Sequence, residues 1–338
     1  MKAVDMHCDT ISKLYEMAKE KREEDLLRNH CHIDLQKLKK GDALLQNFAI
    51  FIDKGKVDNP FEEFVRMADY YYMELKKNGD IIAPVFCWND IEQNKRDGKI
   101  SALLTVEEGA VCKGDTAYVR SLYRLGVRMM TLTWNYVNEI GHPNINKRSY
   151  EGEKKENTKI PFYKIADMKN GLTEVGKEVV EEMERIGMII DVSHLSDKGF
   201  YDVLSVTNKP FVASHSNART ICSWVRNLTD DMIRKLALRG GVIGLNFCPD
   251  FLTDVSESET DPGTIASIVE HAKYITNVGG IDCLGLGSDF DGIEGHGELP
   301  DYSYLPMLSD ALMKAGFRES DVEKIFHGNV LSIYKELL

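Results

Sequence analysis

The chain has 338 residues, 43% hydrophobic and 28% charged, with 26 Gly against 9 Pro, which excludes disordered and collagen-like classes and allows a core of normal size. Its 54 Asp and Glu outnumber 42 Lys and Arg, giving a formal charge of −12, so no nucleic-acid or anionic membrane partner is expected, because nothing would neutralise the phosphates. The opening MKAVDMHCDT has no apolar signal core, the closing SIYKELL has no anchor signal, and no apolar run approaches the ~18 residues of a spanning helix.

Short apolar runs alternate with longer helix-patterned segments. In chain order the runs are 3–9 (AVDMHCD), 45–52 (LQNFAIFI), 101–107 (SALLTVE), 127–134 (VRMMTLTW), 188–194 (MIIDVSH), 211–215 (FVASH), 242–247 (VIGLNF) and 283–289 (CLGLGSD). Near-continuous apolar runs suit strands covered on both faces, as in a parallel sheet. Amphipathic segments at 61–77, 173–186, 229–237, 264–277 and 321–338 predict helices, with Gly187 and Gly279 as stops. This alternation predicts an α/β fold, a (β/α)₈ TIM-type barrel forming a single domain over 1–338. A doubly wound open sheet is the structural alternative, disfavoured because no GxGxxG follows the first strand. The polar stretch 138–169 is expected as a long loop after the fourth strand, placed to cover a site. Seven scattered Cys without a CxxC pair argue against a disulfide framework and for free thiols in a reducing, cytoplasmic setting.

The chemistry gathers at the predicted strand ends. His7 and Asp9, Glu107, His194, His215 and Asp289 all close such runs, and in a barrel those ends converge on one face. In His-x-Asp the two-residue pleat points both side chains the same way, so they can share one metal. Imidazole plus carboxylate suits Zn²⁺. Each residue alone has an ordinary structural explanation: a satisfied core His, helix N-caps at Asp9 and Asp289, solvated charge at Glu107 beside Glu108. Their shared register favours a metal centre. His30, His32, His142, His271, His296 and His327 fall outside it and are assigned to structure or surface. Arg226, in the loop after the sixth strand, would ordinarily be a surface ion pair, yet over a metal site it suits a bidentate grip on a carboxylate. The small residues of LGLG before Ser288 allow close backbone approach. Tyr70, Tyr71 and Tyr72 are assigned to packing.

With these residues in place, the sequence resembles the membrane dipeptidase (renal dipeptidase) family of zinc peptidases in the amidohydrolase superfamily, most of all its soluble bacterial members. The likeness runs through DMHCDT at 5–10, HIDL at 32–35, LLTVEEG at 103–109, MTLTWN at 130–135, GMIIDVSHLS at 187–196, SHSNAR at 214–219, RNLTDD at 226–231 and GLGSDFDG at 285–292. It implies a (β/α)₈ barrel with two Zn²⁺ per chain. His7 and Asp9 would bind one, His194 and His215 the other, with Glu107 bridging. Arg226 would hold the substrate's terminal carboxylate and Asp289 would be the acid/base near the scissile bond. Two departures stand out. The animal enzymes carry a substrate-binding His after the fourth strand where this chain has Trp134, and the family's Glu-Gly-Gly is Glu107-Glu108-Gly109. The implied reaction is hydrolysis of dipeptides, including those with a C-terminal D-residue, by a metal-activated water, with the dipeptide as partner, no membrane anchor and a homodimer as the assembly. Other binuclear hydrolases of lactonase, deaminase or phosphotriesterase type, a non-catalytic metal-dependent peptide-binding protein, and a structural protein with a single zinc remain open alternatives, since fold does not imply function.

Overall fold

Parallel strands alternate with helices along the chain in this computed structural model, which describes residues 1–146, 161–254, 263–294 and 297–338. Among the described residues the strands are β1 Ala3–Asp5, β2 Ala43–Phe51, β3 Ile82–Val85, β4 Ile100–Glu107, β5 Met129–Thr131, β6 Ile189–Asp191, β7 Val212–Ala213, β8 Val242–Leu245 and β9 Leu284–Leu286. They pair in the order β2-β1-β9-β8-β7-β6-β5-β4-β3, and β2 also pairs β4. That last pairing closes β1, β2 and β4 to β9 into an eight-stranded parallel barrel, the (β/α)₈ TIM type expected from the alternation.

β3 is the strand that sequence reasoning missed. It pairs residues 82–85 with 100–103 of β4, while β5 pairs 105–107 of β4 and β2 covers 101–107 on the opposite edge. β3 and β5 therefore share one edge of β4, and β3 lies outside the ring. Four residues interrupted by Pro84 carry no readable alternation, and proline is tolerated only where no ladder donor is needed.

Helices cover the outside because their apolar stripes face the strands. In Glu174–Ile186 the Thr173 side chain accepts from the Gly176 N–H, Val179, Val180 and Met183 are buried, and Gly187 ends the helix at φ 82°. Pro60–Lys77 buries Phe64, Met67, Tyr71 and Leu75. The Tyr71 hydroxyl donates to the Ala102 carbonyl at 3.0 Å and that of Tyr72 to the Leu125 carbonyl at 2.8 Å, so these tyrosines pack as expected. The last expected helix is divided into Glu319–Glu323, a π-helical stretch Lys324–Gly328, and Asn329–Leu337. Val330, Ile333 and Tyr334 of the final segment cluster with Val4, Leu45, Leu103, Met129, Ile189, Val212 and Val242 of the barrel strands. This plug fills the end where the strands begin and leaves the opposite end for polar chemistry. None of the helices among the described residues is long and apolar enough to cross a membrane, and all seven cysteines are unpaired.

Candidate active site

The residues singled out for metal chemistry meet in one buried cluster, although regular strand pairing reaches only Glu107, the last residue of β4, and stops short of the others. β1 ends at Asp5, β6 at Asp191, β7 at Ala213 and β9 at Leu286. Beyond β1 the ladder continues irregularly: Met6 N–H donates to Leu286, Asp289 N–H to His7, Asp9 N–H to Phe290 and Ala49 N–H to Cys8. His194 and Asp289 then take left-handed backbone at φ 69° and 62°. Non-glycine residues in this region cluster at functional sites, where the surroundings over-determine the backbone. These turns aim the side chains inward where a continued pleat would not.

Glu107 is the hub. Its Oε1 lies 2.9 Å from His194 Nε2 and 3.5 Å from His215 Nε2, and its Oε2 lies 3.5 Å from His7 Nε2. His7 Nε2 also lies 3.3 Å from Asp9 Oδ2 and 3.8 Å from Asp289 Oδ1. Glu107 and Glu108 are both buried, not solvated. The His7, Glu107 and His215 donor atoms lie close enough to hold one ion, and so do those of His7, Asp9 and Asp289.

The supporting contacts are what sequence reasoning missed. Asp191 accepts from the Ser193 and Ser214 N–H groups at 3.0 and 2.8 Å and from the Thr131 hydroxyl at 2.6 Å. The Ser214 hydroxyl also donates to Asp191, which leaves its oxygen to accept from His215 Nδ1 at 2.7 Å. His194 Nδ1 faces Asn135 Oδ1 at 3.1 Å. Both rings are thereby set with the proton on Nδ1, as hydrogen-bond networks assign it. Their Nε2 lone pairs then face each other across 3.1 Å, an arrangement that a shared cation relieves. His7 Nδ1, His7 Nε2 and Asp9 Oδ1 are buried without a hydrogen-bond partner, and buried polar atoms are otherwise nearly always satisfied. The donor set fits a metal ion. Asp5 plays the matching part under β9, accepting from the Ser288 N–H at 2.8 Å and hydroxyl at 2.6 Å. The spacing Asp-x-His at the end of β1 and Asp-x-x-His at the end of β6 could have flagged both aspartates.

Asp289 Oδ2 accepts from Asn246 Nδ2 at 2.9 Å. Close packing makes room for this loop: a Cβ on Gly287 would meet the Ser214 carbonyl oxygen at 1.8 Å, and one on Gly292 would meet Asp9 Oδ2 at 2.2 Å. Arg226 is 4% exposed, so the surface ion pair is ruled out. Its Nη2 donates to the His215 carbonyl at 3.2 Å, its guanidinium lies 5.4 Å from the Phe251 ring centroid, and its Nε and Nη1 have no partner. Phe251, Trp134, Asn135, Asp9, Glu107, His194 and Asp289 line a cleft of about 780 Å³. Within the expected loop 138–169, residues 147–160 lie outside the described residues. Its near side anchors through Asn144 Nδ2, which donates to the Val225 carbonyl at 2.9 Å, and its far side through Tyr163, whose ring stacks 4.3 Å from Trp224. Both ends thus pack on the loop that carries Arg226. Of the histidines outside the register, His271 is fully structural, accepting from the Ala218 N–H and facing the Leu252 carbonyl. His32 Nδ1 accepts from the Asp291 N–H at 2.9 Å. His296 lies outside the described residues.

The charges in the cluster strain one another. Burial, with Asp9 and Glu107 adding and His7 opposing, pushes Asp289 up to about 7; burial raises Asp9 to about 6. His194 is pushed down to about 4 by burial and by Arg226. Burial lowers His7 too, but Glu107 and Asp9 outweigh it and raise His7 well above its ordinary value. In chelated protein the folded chain therefore keeps the Asp289 proton up to about pH 7, whereas the unfolded chain releases it near 3.8. The folded state binds more protons across that window, so stability falls as pH rises. The depressed His194 and His215 oppose this only below their ordinary 6.5. The midpoint of thermal unfolding of chelated protein should thus fall between about pH 6.5 and 8, and metal should restore more at the upper end. A midpoint that is flat or rising there contradicts the assignment.

A parallel barrel with three histidines and three carboxylates converging at and beyond its strand ends is the architecture of a metal-dependent hydrolase. The chain matches the membrane dipeptidase family, Peptidase family M19, over residues 1–337. It is 30% identical over 316 residues to Dipeptidase tcpJ of Claviceps purpurea, spanning 90% of this chain and 69% of that protein. An uncharacterized dipeptidase of Schizosaccharomyces pombe is likewise 30% identical, over 90% of this chain and 72% of the other. The solved structure of the metallopeptidase dipeptidase AC has a TM-score of 0.86 at 25% identity, covering 100% of this chain and 98% of that one. A Rhodobacter sphaeroides metallopeptidase holding a phosphinate mimic of L-Ala-D-Ala shares the fold at a TM-score of 0.86 and 23% identity, covering 100% and 99%. The chain belongs to the membrane dipeptidase family and is a metal-dependent hydrolase of the dipeptidase class.

Proposed function

We propose that residues 1–338 form one catalytic unit that hydrolyses the peptide bond of dipeptides, those with a C-terminal D-residue included, with two zinc ions held by His7, Asp9, Glu107, His194 and His215. Mixed imidazole and carboxylate donors support zinc. His7 and Asp9 form one half of the set, His194 and His215 the other, and Glu107 reaches both through its two oxygens. When bound, such a metal pair supplies an acidified water and polarises the scissile carbonyl.

The observation that carries the substrate class is Arg226. Two of its donors are buried without a partner, and an unsatisfied buried cation is costly unless an anion completes it. A free carboxylate one residue beyond the scissile bond supplies that anion, and measures the substrate to dipeptide length. Asp289 stands 3.8 Å from His7 Nε2, with one oxygen held by Asn246 and the other facing the metal residues. It takes the proton of the attacking water and returns it to the departing amine, as amide hydrolysis requires. Trp134, 6.4 Å from the His194 ring, forms a wall of the substrate cleft.

The test is a panel of L-L and L-D dipeptides, each also as its amide, with and without chelator and zinc. Arg226→Ala should reduce kcat/KM on free dipeptides roughly 10- to 150-fold, which corresponds to the ~1.5–3 kcal/mol of a hydrogen bond to a charged group. Lys should rescue only part, since a point charge cannot reproduce the planar two-point grip. Dipeptide amides should be poor substrates of the native protein and lose little more in the variant, whereas a folding defect would lower both alike. Equal cleavage of acid and amide by the native protein would refute the carboxylate clamp.

A further inference from the structure

Glu108 is fully buried beside the hub residue Glu107 and holds φ 100° and ψ 96°, a backbone that glycine reaches freely and other residues rarely adopt. Its own side chain holds it there. One carboxylate oxygen accepts from the Ala110 N–H at 2.9 Å and from Asn138 Nδ2, and the other accepts from the Trp134 N–H at 3.2 Å. Asn138 in turn donates to the Leu132 carbonyl at 2.9 Å and accepts from the Ile140 and Gly141 N–H groups at 2.8 and 3.0 Å. A single carboxylate therefore ties the turn after Glu107 to both ends of the segment that carries Trp134. Glycine would form the turn without strain but would leave that segment without its anchor.

Trp134 lines the cleft with Phe51, Ile52, Val57 and Met67. Its ring meets Phe51 edge-on at 4.7 Å and lies 5.7 Å from Tyr136. These side chains form an apolar, aromatic stretch of the cleft, flanked by Asp53, Lys56 and Glu63, whose Trp134 ring lies 6.4 Å from that of His194.

We propose that Glu108 is a positioning residue that fixes the Trp134 indole, and that this indole, with Phe51, selects dipeptides bearing a large apolar side chain. The substrate half rests on the dipeptidase function proposed above; the placement of the indole does not. Glu108→Gln keeps an oxygen for Ala110 and Asn138 but turns an NH₂ donor towards the Trp134 N–H, and Glu108→Gly removes the anchor while relieving the backbone. Both variants are compared, metal-loaded, for acrylamide quenching of tryptophan emission, each with and without Trp134→Phe so that Trp88 and Trp224 cancel. They are then assayed on Phe-Ala and Ala-Ala.

The Trp134 share of the emission should become more quenchable. The Phe-Ala to Ala-Ala ratio of kcat/KM should fall about tenfold or more, the scale of discrimination by a hydrophobic pocket. Trp134→Ala should lower the ratio by as much, and adding Glu108→Gln to it should change nothing further. Unaltered Trp134 quenching in both variants, an unmoved ratio, or additive losses would overturn the proposal. If the native protein cleaves neither dipeptide, the dipeptidase function fails, and the quenching comparison still decides the role of Glu108.

Discussion

Glu107→Gln should strip metal from both halves of the site at once. The native carboxylate places one oxygen 2.9 Å from His194 Nε2 and the other 3.5 Å from His7 Nε2. Replacing one oxygen with an NH₂ group puts a donor where a cation or an imidazole lone pair must lie, and lowers the negative charge of the pocket by one. Supporting contacts to a metal site are typically worth about 10- to 100-fold in affinity, so loss at a group reaching both halves should exceed that range. Metal content by plasma mass spectrometry should drop well below two ions per chain, and dipeptide hydrolysis should fall with it. Buried volume and shape are nearly unchanged, so far-ultraviolet circular dichroism should stay native. Retention of two ions with full activity would remove Glu107 from the bridging role.

Asp289→Asn should separate chemistry from metal binding. The asparagine oxygen still accepts from Asn246 Nδ2, now at 2.9 Å from Asp289 Oδ2, so the loop keeps its place. Basicity is what disappears. Turnover should fall about 10²- to 10⁴-fold, the usual worth of a positioned general acid/base. Metal content should fall less than in His194→Ala or His215→Ala. If zinc is lost equally in all three, Asp289 is mainly a ligand and the proton shuttle must be sought elsewhere.

Local chemistry made much of this protein readable from its chain. Continuous apolar runs, Thr173 and Gly187 at the two ends of one helix, and the eightfold alternation determine a covered parallel barrel, because each of these acts over a few residues. The cluster of His7, Asp9, Glu107, His194, His215 and Asp289 was legible for the same reason: a barrel brings strand ends together whatever lies between them. Strand β3 was not, since Pro84 breaks its short alternation and its place is decided by a free half-edge of β4.

Only the tertiary structure decided how the site is held. Asp5 is tied to Ser288 across 283 residues and Asp191 to Ser214 across 23; their spacing to His7 and His194 is local, but the later turn that each aspartate clamps is not. Arg226 was legible as a candidate carboxylate grip, but only its burial excludes the ordinary surface ion pair and leaves two of its donors unpaired. Solvated charge was the ordinary explanation for Glu107 beside Glu108, but both are buried, and three donors from residues 110, 134 and 138 close on Glu108. Burial and long-range hydrogen bonding are properties of the assembled barrel. A sequence records which groups are present; their surroundings, which set charge state and orientation, exist only once the strands have closed.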